Sequence, residues 1–212
     1  MSTGRFIVLE GIDGAGTTTQ TARLAARLRQ TGGVVRTTRE PSDGPVGATI
    51  RQILAGRIVG AGGRAPGWAT MALLFAADRM DHVEAEIEPF LATGGIVISD
   101  RYDASSLAYQ SVSSGKSGQT TVEWIRSLNR NARRPDLTIV LDVSSDVAAG
   151  RRESRGDAAQ LYEQNELQCA LCAFYKDLQK HIPNDRIAVV DGSGTVEAVA
   201  AAVHATYAAA FG

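Results

Sequence analysis

Apolar and polar positions change their period several times along this 212-residue chain, and each change marks an element. Five short runs read as strands: Arg5–Glu10, Val34–Arg39, Gly95–Ser99, Leu137–Asp142 and Ile187–Asp191. Within them Phe6-Ile-Val-Leu9, Ile96-Val-Ile98 and Leu137-Thr-Ile-Val-Leu141 are nearly unbroken apolar stretches, the pattern of strands buried on both faces of a parallel sheet. Between the strands the period becomes helical. The first helix is predicted from about Thr17 to Thr31, with Leu24 and Leu28 buried and a stop at Gly32-Gly33, where left-handed backbone is easily adopted. A long helix is predicted from about Trp68 to Ala92, after a glycine-rich loop over Ala55–Gly67. The last helix sets Val196, Val199, Val203, Tyr207 and Phe211 on one stripe for packing. Strands alternating with helices predict an α/β fold, a five-stranded parallel sheet with helices on both faces.

The length suits one domain, residues 1–212, with a short lid in the segment around 150–165. The 44% hydrophobic and 21% charged content is that of a globular protein, and the net charge of −1 gives no broad field for nucleic acid or an anionic membrane. Any polyanion must therefore be met locally. The N-terminal Met1–Arg5 is too short for a signal peptide and no apolar run reaches about 18 residues, so a cytoplasmic location is expected. Cys169 and Cys172 lie one helical turn apart, and His82, His181 and His204 do not complete a zinc-binding spacing; both cysteines read as small core residues. Lysine occurs only as Lys116, Lys176 and Lys180, far outnumbered by arginine. That bias fits bidentate phosphate binding and fits codon composition equally well.

Open α/β sheets collect ligands beyond the carboxyl ends of their strands, and the most polar short segments stand there: Glu10-Gly-Ile-Asp13, Arg39-Glu-Pro41 and Asp100-Arg-Tyr102. These are expected to converge on one crevice. Gly11, Gly14 and Gly16 lie where the first strand passes into the first helix, permitting a loop with inward N–H groups at a positive helix end. Thr18 supplies the hydroxyl that such loops present to magnesium. Thr17, however, occupies the position at which a lysine reaches the β- and γ-phosphates. An interaction of that class is worth on the order of 3 kcal/mol, about a hundredfold in rate. Gly150-Arg-Arg-Glu-Ser-Arg-Gly156 is the candidate replacement, a hinged segment able to carry Arg151 or Arg155 onto the phosphates; a solvated turn with ordinary surface arginines is the alternative. Within the long helix, Phe75 and Arg79 share a face and together offer a stacking ring and a fork of donors, or else an ordinary core ring beside a structural arginine.

Through Phe6–Gln20, Arg39–Pro41, Leu73–His82, Asp100–Gln110 and Pro135–Asp142 the chain resembles the thymidylate kinases along nearly its whole length. The resemblance implies a P-loop NTPase-type three-layer sandwich and ATP-dependent phosphorylation of dTMP to dTDP, with Mg2+ as cofactor and ATP as phosphoryl donor. It implies that Gly11, Ile12, Asp13, Gly14, Ala15, Gly16, Thr17, Thr18 and Thr19 hold the ATP phosphates, with Thr18 and Asp100 beside the metal. It assigns base stacking to Phe75, a thymine carbonyl contact to Arg79, and the dTMP phosphate to Arg39 and Arg101. Asp13 falls on the 3′-hydroxyl side, Tyr109 and Gln110 line the sugar and base pocket, and Glu40, Pro41 and Ser105 complete the dTMP set. Arg101, Arg151, Arg155 and Asp13 are the candidate catalytic residues. The chain departs from the family pattern at Thr17 and at Ser42-Asp-Gly44, where glycines are common. Two rival readings stand beside the leading one: a catalytically impaired nucleotide-binding relative, and a kinase for a different nucleotide or deoxynucleoside. A homodimer is also implied, with Trp68, Met71 and Leu74 able to serve either an interface or the core.

Overall fold

The computed structural model describes residues 4–115, 119–155 and 165–212, without the side chains of Arg155 and Asn165. Its centre is a five-stranded, wholly parallel sheet of β1 (Arg5–Glu10), β2 (Val35–Arg39), β3 (Ile96–Asp100), β4 (Leu137–Asp142) and β5 (Ile187–Asp191), in the order β2-β3-β1-β4-β5. Each expected strand is present to within one residue at either end. Alternate side chains of β1 enter different clusters: Ile7 and Leu9 join the main core, whereas Phe6 and Val8 pack with Val83, Ile87 and Leu91. Such a strand must be apolar at every position, which is why Phe6–Leu9 shows no alternation.

Helix α1 (Thr17–Gln30) begins at Gly16, left-handed at φ 98°, and buries Leu24 and Leu28 as expected. It ends in a Schellman turn: the Gly33 N–H bonds the Leu28 carbonyl at 2.9 Å and the Gly32 N–H bonds that of Arg29 at 3.0 Å. Helix α2 (Pro45–Leu54), with proline at its first position, was not foreseen by the sequence reading. The predicted long helix is α3 (Trp68–His82) and α4 (Glu88–Ala92) joined by a π-helical turn, Val83–Ile87. Pro89, which has no N–H to return to the preceding turn, stands just past that widening.

After β3 come α5 (Asp103–Ser113) and α6 (Gln119–Leu128); after β4 come α7 (Ser145–Arg155), α8 (Asn165–Lys176) and α9 (Leu178–His181); α10 (Val196–Phe211) closes the chain. The expected lid at 150–165 falls partly on α7 and α8, and its centre, 156–164, lies outside the described residues. On α10, Val199, Val203 and Tyr207 are buried, but Val196 in the first turn is exposed.

One expectation is corrected, and of the two roles open to Trp68, Met71 and Leu74 the core is the one seen. Cys169 is exposed, with its Sγ 3.2 Å from Ser145 Oγ, because the phase of α8 turns it away from the core that Cys172 touches. Met71 is wholly buried with Ile50 and Ile53, Leu74 packs on that cluster, and Trp68 meets Trp124 edge to face; the exposed apolar residues of α3 are instead Leu73 and Met80.

Candidate active site

Register brings the strand ends together. Arg39 pairs with Asp100 across β2 and β3, and Asp100 with Leu9 across β3 and β1, so the segments after these strands leave the sheet side by side. The loop after β1 turns at Gly14 (φ 94°), where a Cβ would come within 2.4 Å of the Ala148 carbonyl oxygen; no other residue fits there. Thr17 opens α1 with its side chain buried, while Thr18 is exposed and donates its hydroxyl to Asp100 Oδ2. Asp100 Oδ1 is buried without a hydrogen-bond partner. A hydroxyl beside a carboxylate with spare acceptor capacity is a donor set suited to a hard divalent cation. Among the described residues no cluster of three or more His, Cys, Asp or Glu could hold a metal, so an ion placed at Thr18 and Asp100 would need further ligands from phosphate or water.

Beside the loop lies a cavity lined by Asp13, Glu40, Pro41, Phe75, Arg79, Arg101, Ser105, Tyr109 and Gln110, together with Leu54, Tyr102 and Ser106. Nine of the ten residues expected at the acceptor site thus line one cavity. The tenth, Arg39, faces an adjoining depression with Thr18 and Asp100, where it pairs with Asp43 at 2.8 Å. A cis peptide bond joins Glu40 to Pro41, and buried Asp78 on α3 holds the next residue, accepting from the Ser42 N–H at 2.8 Å and its hydroxyl at 2.5 Å.

Arg101 spans the boundary between loop and cavity. It alone among the described non-glycine residues has positive φ, 73°, a backbone state costing on the order of 1 kcal/mol. The strain is held by its N–H on Leu9 O at 2.9 Å and by Ser99 Oγ on its carbonyl at 2.7 Å. In return the guanidinium reaches Asp13 Oδ1 at 2.6 Å, Gly11 O at 2.9 Å and Ser105 Oγ at 3.1 Å, over the Tyr109 ring. Burial opposes its charge, but Tyr109, Asp13, Tyr175 and Asp100 outweigh burial, so Arg101 stays protonated well above its usual range.

Arg79 is buried on the opposite wall. One terminal nitrogen donates to Glu40 Oε2 at 2.5 Å and Ser106 Oγ at 3.1 Å, the other to Asn129 Oδ1 at 2.5 Å. Glu40 also faces His82 Nδ1 at 3.4 Å, and His82 Nε2 meets Thr38 Oγ1 at 2.6 Å.

Beneath Arg101 lies Glu10, fully buried at the end of β1. Its carboxylate accepts from the backbone N–H of Tyr102 (2.9 Å) and Ser105 (3.1 Å), the Ser105 hydroxyl (2.6 Å) and the Tyr175 hydroxyl (2.9 Å). It thereby caps α5, whose own N-cap residue, Tyr102, makes no side-chain cap. Desolvation pushes its pKa up to about 7, against the lowering effect of Arg101 and these donors. Helix α8 reaches the same place through Tyr175, and through Gln168, whose Nε2 lies 3.5 Å from Asp13 Oδ2.

The arginines of α7 sit on the outer side of the loop. Arg151 donates to Ala15 O at 3.2 Å and Gly192 O at 2.8 Å, and Arg152 donates to Asp13 O. The Arg155 side chain lies outside the described residues. Sequence reasoning placed Glu10 at the crevice without giving it a role, and missed Ser106, Asn129 and Tyr175 as members of the site. Glu10 carried a signal, being a carboxylate that closes an apolar run; nothing in their local sequence marks the others.

A family model described as thymidylate kinase matches residues 9–203. The chain is similar to the thymidylate kinase of Thermomicrobium roseum, 42% identical over 207 residues covering 95% of this chain and 93% of that one. It is 38% identical to the thymidylate kinase of Caulobacter vibrioides over 210 residues (96% and 95% of the two chains), and 42% identical to that of Bifidobacterium longum over 204 residues (94% and 95%).

Proposed function

Since the chain belongs to the thymidylate kinase family, an enzyme class of nucleoside monophosphate kinases, we propose that it transfers the γ-phosphoryl group of ATP to the 5′-phosphate of dTMP. An oxygen of the dTMP phosphate bonds the γ-phosphorus as the bond to the β-phosphate bridging oxygen breaks, giving dTDP and ADP. The nucleophile is already anionic at neutral pH, so the protein's task is positioning and charge stabilisation.

On this reading dTMP occupies the cavity, its base on Phe75 and facing the Arg79 fork, its phosphate toward Arg101 and Arg39. Asp13 receives the 3′-hydroxyl side, and Tyr109 and Gln110 border the sugar, with Tyr109 crowding a ribose 2′-hydroxyl. The loop from Gly11 to Thr19 takes the ATP phosphates. Thr18 and Asp100 would hold Mg2+, which when bound neutralises charge on the donor phosphates.

The observation that carries the reading is the reach of Arg101: one guanidinium touches the loop at Gly11 and Asp13 and also lines the acceptor cavity. The missing lysine is compensated, we propose, by arginines of the strand end and the lid. In support, Arg101, Arg152 and Arg151 bond the carbonyls of Gly11, Asp13 and Ala15 in turn, gathering three positive charges around the loop. We also propose that the enzyme works in the cytoplasm as a homodimer, with Leu73 and Met80 of α3 on the apolar contact face.

Product analysis with ATP, Mg2+ and a panel of deoxynucleoside monophosphates tests this. Turnover confined to dTMP supports it, preferential turnover of another nucleotide redirects it to a different kinase, and ATP binding without any product makes the protein a non-catalytic nucleotide binder.

A further inference from the structure

We infer that Asn129, outside the cavity wall, sets the base preference of the enzyme by fixing the orientation of Arg79; this rests on the dTMP kinase reading above. Asn129 follows α6 and is buried. Its amide bridges two groups of opposite kind. Oδ1 accepts from Arg79 at 2.5 Å, and Nδ2 donates to the Ile125 carbonyl at 2.9 Å. The amide cannot be reversed, because arginine has only donors and a carbonyl only accepts.

Arg79 has five N–H groups. Glu40 and Ser106 take both on one terminal nitrogen, and Asn129 takes one on the other. Arg79 Nε is buried and has no hydrogen-bond partner, and the residue lines the cavity. The guanidinium is therefore pinned at both tips, with donor capacity left over for a ligand. Glu40 and Ser106 hold a single tip, and the guanidinium carbon lies 5.0 Å from the centre of the Tyr102 ring, so without Asn129 the second tip could tilt only against that ring. Asn129 removes that tilt.

A fixed donor at this wall favours a pyrimidine with a carbonyl at position 4 and rejects one with an amino group there, since two donors then face each other. A tilting guanidinium can retreat from the amino group, so selectivity falls before turnover does. Asn129 is thus a positioning residue, and its two bonds can be separated. Asn129→Asp keeps an acceptor for Arg79 and loses the donor to Ile125. Asn129→Ser keeps a hydroxyl able to bond Ile125, as serine does to a carbonyl four residues back, and is too short for Arg79.

The test is the ratio of kcat/KM for dTMP to that for dCMP in the parent and both variants, with kcat and KM resolved. We expect the ratio to drop at least about tenfold in Asn129→Ser, through KM for dTMP with kcat within about threefold, and to stay near the parent value in Asn129→Asp. An unchanged ratio in Asn129→Ser overturns the assignment. So does the reverse order, with Asn129→Asp the damaged variant, which would make the Ile125 bond the important one. A parent that does not prefer dTMP defeats the underlying reading, and is seen before any variant is made. Should Asn129→Ser fail to fold, Asn129→Ala, which also lacks the acceptor for Arg79, takes its place: a ratio fallen at least about tenfold upholds the assignment and an unchanged one overturns it.

Discussion

Replacing Glu10 by glutamine should remove a pH-dependent burden on stability. The carboxyl pKa, ordinarily near 4.5, is raised to about 7 by burial under Arg101. Between those values the folded chain retains a proton that the unfolded chain has released, so stability falls as pH rises through that window. The contribution of the neutral carboxyl is complete below about pH 4.5 and gone once pH has passed about 7. The interval spans about 2.5 pH units at about 1.4 kcal/mol each, or roughly 3 kcal/mol in all. Glutamine has the same shape, and its Oε1 can accept from the N–H groups of Tyr102 and Ser105. Its Nε2 then faces the hydroxyls of Ser105 and Tyr175, and both can turn to accept. Urea unfolding of parent and Glu10→Gln from pH 5 to 8 isolates the effect, because titrations common to both cancel in the difference. The variant should gain on the parent by about 2 to 3 kcal/mol across that range. A difference flat to within about 0.5 kcal/mol would show that the four donors and Arg101 offset desolvation, leaving Glu10 an ordinary carboxylate.

Of Arg151→Ala and Arg155→Ala, made singly, at least one should lose about a hundredfold or more in turnover, read from steady-state dTDP formation; near-parental rates in both remove the lid arginines from catalysis. Thr18→Val should lower turnover by about tenfold or more and raise the Mg2+ concentration needed for half-maximal rate, as a magnesium titration would show, whereas an unshifted titration places the metal elsewhere. Leu73→Glu combined with Met80→Glu should convert the proposed dimer to monomer in sedimentation equilibrium; a parent already monomeric, or a variant still dimeric, rejects that face.

The strands were legible because a sheet covered on both sides demands apolar residues without alternation, and Phe6–Leu9 and Leu137–Leu141 satisfy that demand locally. Helix α2 went unrecognised although Pro45 at its first position and Val46, Ile50, Ile53 and Leu54 at helical spacing mark it locally; that face packs on Met71, Leu74 and Phe75 of α3. The π-turn at Val83–Ile87 escaped for a different reason: one widened turn inside a helix leaves the overall period almost intact. Cys169 was misjudged because residues three apart differ by about 60° in helical phase, enough to set Cys172 against the core and Cys169 outside it.

The residues expected at the acceptor site stood out as a family pattern, and nine of the ten line one cavity; their supports did not stand out. Asn129 and Tyr175 act through single atoms reached across the fold, 50 residues from Arg79 and 165 from Glu10. The phosphate loop presents the same contrast. Thr17 announced a missing charge, but the sequence did not disclose that arginines bond the carbonyls of residues 11, 13 and 15. In a trans peptide the carbonyl of one residue points opposite to the N–H of the next. Drawing the carbonyls of Asp13 and Ala15 toward the arginines of α7 turns the N–H groups of Gly14 and Gly16 the other way, toward the concavity where a phosphate would sit. The arginines can thus serve by holding the loop open to an anion as well as by their charge, and kinetics separates the two. An arginine that only shapes the loop raises KM for ATP when removed and leaves kcat in place, whereas one that meets the transferring phosphoryl group lowers kcat itself.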